Sequence, residues 1–138
     1  MTEKEKDLLI GDLCARLPYE VKVQYKDDIF TIDYISGIYE EIKLDTPDRY
    51  TIDISEVKPY LFPFSSMTRE QLFEVQEMLG KNEIEIGDGF LHIIDSDRNV
   101  ITYLEILALL EWFYKNHFDV NNLIHMGLAI DATNLNIY

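Results

Sequence analysis

Apolar and polar positions change rhythm several times along the chain, and each change marks an expected element. Ile10, Leu13, Cys14 and Leu17 fall at i, i+3, i+4 and i+7, the spacing of one helix face. A Thr2–Glu5 capping box precedes them and Pro18 stops the run. This register sends Asp7, Asp12 and Arg16 outward. A period of two then takes over. Tyr19, Val21, Val23 and Tyr25 alternate with Glu20, Lys22, Gln24 and Lys26, which predicts a strand with one dry and one wet face. Phe30, Ile32 and Tyr34, then Glu40, Ile42 and Leu44, then Tyr50, Ile52 and Ile54 repeat the alternation, separated by turn-forming residues. Connections this short predict an antiparallel meander of about four strands.

Residues 58–68 break both rhythms. Pro59 and Pro63 each fix a backbone angle and remove a donor, which argues against a central strand or a helix interior. Tyr60, Leu61, Phe62 and Phe64 must still hide apolar area, so the segment reads as a strap across the core. At least two of the four are expected to pack. If Tyr60 and Phe62 are exposed instead, they become candidate protein contacts.

Beyond the strap, Thr68 and Gln71 form a second capping box. A helix follows over residues 69–79, with Leu72, Val75 and Leu79 on one face and Glu70, Glu74 and Glu77 on the other. Gly80 ends it. Ile84 and Ile86, then Phe90, Leu91, Ile93 and Ile94, flank Gly87-Asp88-Gly89 as a hairpin, and residues 95–99 read as a polar turn. Residues 103–116 are apolar nearly all round, the mark of a central helix. Asp119 is expected to cap a short helix through Met126, with Gly127 in the left-handed position beyond it. Residues 131–138 read as an extended, loose tail. The pattern as a whole predicts one α+β domain over residues 1–138, a meander and a hairpin with three to four helices packed on them.

Charge and reactive residues narrow the function by exclusion. Net charge is −14. The acids concentrate in residues 70–97, where Glu70, Glu74, Glu77, Glu83, Glu85, Asp88, Asp95 and Asp97 stand against Lys81. Direct binding to nucleic acid or anionic lipid is disfavoured, and a basic partner is allowed. The single cysteine, Cys14, excludes an internal disulfide and a multi-cysteine metal site, and its pattern predicts a small buried hydrophobe. His92, His117 and His125 lack a zinc-site spacing, and His117 reads as a cap or surface residue. Ser65 and Ser66 lack a nucleophile elbow, and helix capping accounts for them. Glu105 and Glu111 lie on different helix faces, within reach of water or, for Glu111, of Lys115. Gly87-Asp88-Gly89 fits neither a phosphate loop nor a calcium loop. No catalytic, cofactor-binding or metal-binding residue is therefore assigned. The apolar run at 100–114 is interrupted by Glu105 and Glu111 and falls short of the about 20 residues a membrane span needs. A soluble, cytoplasmic protein is expected.

Three motifs together resemble a family of small uncharacterised proteins from gut Bacteroides-type bacteria and their phages. They are Leu13-Cys14-Ala15-Arg16-Leu17-Pro18-Tyr19; Pro59-Tyr60-Leu61-Phe62-Pro63 with Ser65-Ser66-Met67-Thr68; and Asn116-His117-Phe118-Asp119 with Leu123-Ile124 and Met126-Gly127-Leu128-Ala129-Ile130. The resemblance implies an intracellular, often phage-associated protein and carries no known activity, cofactor or catalytic residue. The leading expectation is a non-enzymatic interaction or accessory protein, with Tyr60, Phe62, Glu70, Glu74 and Glu77 as candidate protein contacts. The alternatives are an acidic inhibitor that imitates DNA before a DNA-binding protein, and an enzyme of unrecognised type.

Overall fold

Thr2 starts the first helix as its capping box requires: its hydroxyl accepts from the Glu5 N–H, and the Glu5 carboxylate accepts from the Thr2 N–H at 2.6 Å. Helix α1 (Glu3–Arg16) buries Leu9, Asp12, Leu13 and Arg16, a stripe rotated one residue from the expected face. Asp12 and Arg16 are therefore interior, and Cys14 is exposed. The computed structural model describes residues 1–48, 51–80, 83–87, 90–94 and 102–138, with backbone alone for 83–87 and 90–94.

Leu17–Tyr19 forms a 3-10 turn, so Tyr19 precedes the first strand and is not part of it. Strands β1 (Lys22–Tyr25), β2 (Asp28–Ser36), β3 (Glu41–Leu44) and β4 (Thr51–Asp53) pair antiparallel with their neighbours in sequence, which makes the expected meander. Ile54 leaves β4 for a 3-10 turn, and Tyr50 lies outside the described residues.

The strap contains a strand that the two prolines argued against. Strand β5 (Val57–Leu61) runs antiparallel to β1, with Pro59 opposite Val23. Strand β8 (Ile130–Asp131) adds parallel to its other flank at Tyr60 and Leu61, giving the order β4-β3-β2-β1-β5-β8. Pro59 is tolerated for a geometric reason. The Leu61 carbonyl accepts from Ala132 N–H on the β8 flank, and Pro59, two residues earlier, directs its backbone to that same flank. Pairing with β8 begins only at Tyr60, so no ladder bond needs the missing N–H.

One core lies between α1 and the sheet, where Leu9 and Leu13 meet Val23, Ile32, Ile42, Ile54, Val57 and Leu61. A second joins α2 (Arg69–Leu79) and α3 (Tyr103–Lys115) through Val75, Leu79, Leu109, Phe113 and Phe118, with Phe62, Phe64 and Trp112 at its edge. The Thr68–Gln71 box and the left-handed Gly80 bound α2 as expected. Helix α3 is not central. Leu109 and Phe113 are its buried residues, while Tyr103 and Leu104 are 74% and 76% exposed. Its apolar side chains outnumber what α2 and the end of α1 cover.

Strands β6 (Glu83–Gly87) and β7 (Phe90–Ile94) form the expected hairpin as a separate two-stranded sheet. Its tip residues and the polar turn at 95–99 lie outside the described residues. The helix expected from Asp119 to Met126 is a run of turns. Asp119 accepts from the N–H groups of Leu123 and Ile124 at 2.7 and 3.0 Å, and Asn122 adopts φ 58°, which breaks a helical path. Gly127 does occupy the left-handed region at φ 74°, and Leu128 N–H reaches the Leu123 carbonyl.

Candidate functional site

Four separate parts of the chain meet where β1 and β5 diverge. Gln24 still pairs with Lys58 and Val23 with Pro59. One step further, Lys22 and Tyr60 are the next residues in register, yet the strands have opened. The Tyr138 hydroxyl fills the opening, accepting from Lys22 N–H at 3.0 Å and donating to the Tyr60 carbonyl at 2.8 Å. Beyond it, Phe62 N–H donates to the His117 carbonyl and the Phe62 carbonyl accepts from Asp119 N–H, so residues 117–119 take over the flank that β1 leaves. Residues 131–138 are thus held by β8 at one end and Tyr138 at the other, and the expected loose tail is corrected.

His117, expected at the surface, is buried. Its ring stacks on Tyr138 with centroids 3.7 Å apart and planes 12° from parallel, and its backbone sits at φ 62°. Burial lowers its pKa to about 4, helped by the positive charges of Arg16 and Lys22. Burial also raises the Tyr138 phenol to about 12, which keeps the proton it donates to Tyr60. The acid-side consequence has a definite sign. An unfolded His117 takes up a proton near its ordinary value of 6.5, whereas the folded one does so only near 4. Stability therefore falls as pH drops through that window and loses nothing further on this account below it. Chemical denaturation across the window should show wild type losing on the order of 2–3 kcal/mol more than His117→Asn, which tolerates the left-handed backbone and does not titrate. Equal losses would remove His117 from the account.

Beneath this junction lies an ion pair. Arg16 Nε and Nη2 bind Asp12 Oδ2 and Oδ1 at 2.6 and 3.0 Å, with both side chains fully buried. Nη2 also donates to the Phe118 carbonyl at 2.6 Å, and Asn121 Nδ2 donates to Asp12 Oδ1 at 2.8 Å. The guanidinium stands 4.9 Å from the Tyr114 ring centre. These contacts lock α1 to residues 114–121.

Beside the junction, Phe64, Ser65, Asp119, Asn122, His125 and Asp131 line an open cleft of about 300 Å³. A serine, a histidine and two aspartates thus share one wall, as a nucleophilic site would need. Asp119 is committed to two backbone N–H groups, Asp131 to Thr133, and Ser66, which lies outside the cleft wall, donates to the Pro63 carbonyl. These bonds are those of turn and cap residues. Among the described residues no group of three or more His, Cys, Asp and Glu is placed to hold a metal ion. No described helix is long and apolar enough to cross a membrane.

The candidate contact residues separate into two places. Tyr60 is buried in β5, and Phe62 is half-buried against Phe118 and Tyr138. Glu70, Glu74 and Glu77 are exposed on α2, and Glu74 accepts from Trp112 Nε1 at 3.1 Å, tying the acidic face of α2 to α3. Glu111 accepts from the Tyr19 hydroxyl rather than pairing with Lys115. Comparison with protein-family models, with curated proteins and with solved structures returns no match. The residues that sequence reasoning missed are Asp12, Arg16, His117 and Tyr138. The first two had a signal: with Leu9 and Leu13 they fall at i, i+3, i+4 and i+7.

Proposed function

We propose that this is a non-enzymatic interaction protein of the cytoplasm that binds a partner protein through the outer face of α3 and the acidic rim of α2. The observation that carries this is the exposure of Tyr103, Leu104, Ile106 and Leu107 on one helix, beside exposed Phe73 and Met78 on α2. Apolar area of this kind on an acidic protein marks an association surface. Glu70, Glu74 and Glu77 on α2 and the net charge of −14 choose the occupant: a partner with an apolar patch rimmed by Lys and Arg. A second copy of this chain would bring like charge against like. The resemblance to proteins of gut Bacteroides-type bacteria and phages supports an intracellular, phage-associated setting.

The test compares wild type with Leu104→Glu/Leu107→Glu in capture from native cells. Both positions are exposed, so the variant folds. Wild type should retain a partner that the variant loses, and Glu70→Lys/Glu77→Lys should weaken the same partner and flatten its salt dependence. A partner retained equally by the α3 variant overturns the reading. The DNA-imitating inhibitor draws on the same acids and is distinguished by its opposite response: it is indifferent to Leu104→Glu/Leu107→Glu and abolished by charge reversal on α2.

A further inference from the structure

We propose that the opening between β1 and β5 is a binding site for phenols, filled here by Tyr138 and able to take a phenol from another molecule when residues 133–138 lift away. Three features build the site. Its floor presents one donor and one acceptor, Lys22 N–H and Tyr60 C=O, left unpaired with each other because the strands diverge. A single hydroxyl that accepts from the first and donates to the second satisfies both, whereas an ether or a hydrocarbon satisfies at most one. Its wall is the His117 ring, stacked face to face on the bound phenol, and its rim is Phe62, whose ring centre lies 5.9 Å away at 51°. Its occupant is detachable. Tyr138 is 45% exposed, and among the described residues the hydrogen bonds of residues 133–137 are local, from Thr133 to Asp131 and from Leu135 to Ala132. Asn134 and Asn136 both sit at positive φ, so this segment is a string of turns rather than a packed element. Tyr138 therefore acts as an intramolecular ligand at high effective concentration, and a free phenol competes with it.

The site selects a phenol over other aromatics for a reason independent of shape. Lys22 N–H and Tyr60 C=O belong to neighbouring interior strands, so an occupant that fails to bridge them leaves a backbone group without its bond where their ladder opens.

Tyr138→Ala empties the site, and p-cresol is the probe. Saturable binding at millimolar concentration is expected, with the thermal midpoint raised and the Lys22 amide resonance shifted. Toluene and 4-methylanisole should do neither. N-acetyltyrosinamide separates the two sources of the ligand: binding like p-cresol points to a tyrosine presented by another chain, and exclusion points to a small free phenol. Should Tyr138→Ala fail to fold, the same probes are added to wild type, where p-cresol alone should move the Tyr138 ring signals toward those of an exposed tyrosine. Toluene acting as well as p-cresol, or p-cresol leaving the Lys22 amide and the Tyr138 ring unchanged, overturns the proposal.

Discussion

Asp12→Ala lowers the free energy of unfolding by about 3–5 kcal/mol, the usual result of stranding one member of a buried ion pair. Arg16 is left without a counter-charge in a fully buried setting, holding only the Phe118 carbonyl and the face of Tyr114. Asn121 loses its acceptor at the same time. Urea titration followed by circular dichroism measures the loss. Replacing both members with apolar residues, Asp12→Leu with Arg16→Met, recovers most of it, because the desolvation cost of the charges disappears with them. Recovery is incomplete, since the Phe118 carbonyl keeps only the Val120 N–H and the Asn121 amide loses its acceptor, a cost of about 1 kcal/mol. A single variant within error of wild type would show that the pair opens to water.

Phe118→Ala costs a comparable amount, about 3–5 kcal/mol, by a different route. Its ring lies stacked between Phe64, at 5.6 Å and 2°, and Trp112, at 5.7 Å and 15°, with Phe113 meeting it at 6.2 Å and 74°. Removing it empties the junction at which α2, α3 and the end of β5 share one core. Phe118→Leu keeps the apolar volume and loses the stacking, so it should fall between the two. A leucine variant as stable as wild type would mean that the ring contributes nothing specific.

The difference between what the sequence disclosed and what it hid follows from range. The α+β class, the meander, the two capping boxes and the left-handed glycines at Gly80 and Gly127 rest on local spacing, and all are present. Pro59 misled because its effect depends on which flank of the strand a neighbour occupies, and the neighbour, β8, comes some 70 residues later in the chain. Asp12 and Arg16 misled because charge outweighs periodicity in a sequence reading. Their burial becomes acceptable only once Phe118 and Asn121, 102 and 109 residues away, supply hydrogen bonds. Tyr138 carried no local signal at all: its place depends on a ladder that opens between Lys22 and Tyr60. Of the candidate contacts, the α2 acids were legible from helix period, and the exposed half of α3 was not, since an apolar helix reads as interior until its neighbours are counted.

The lock between α1 and residues 114–121 has a consequence for biosynthesis. A ribosome delivers α1 and its Asp12–Arg16 pair before the Phe118 carbonyl and Asn121 amide that hydrogen-bond to that pair. Until then Asp12 and Arg16 lack those hydrogen bonds, and α1 can settle on the meander only through Leu9 and Leu13. The hydrogen bonds of the buried pair therefore wait for the C-terminal half, and a chain stalled midway holds α1 by its apolar contacts alone.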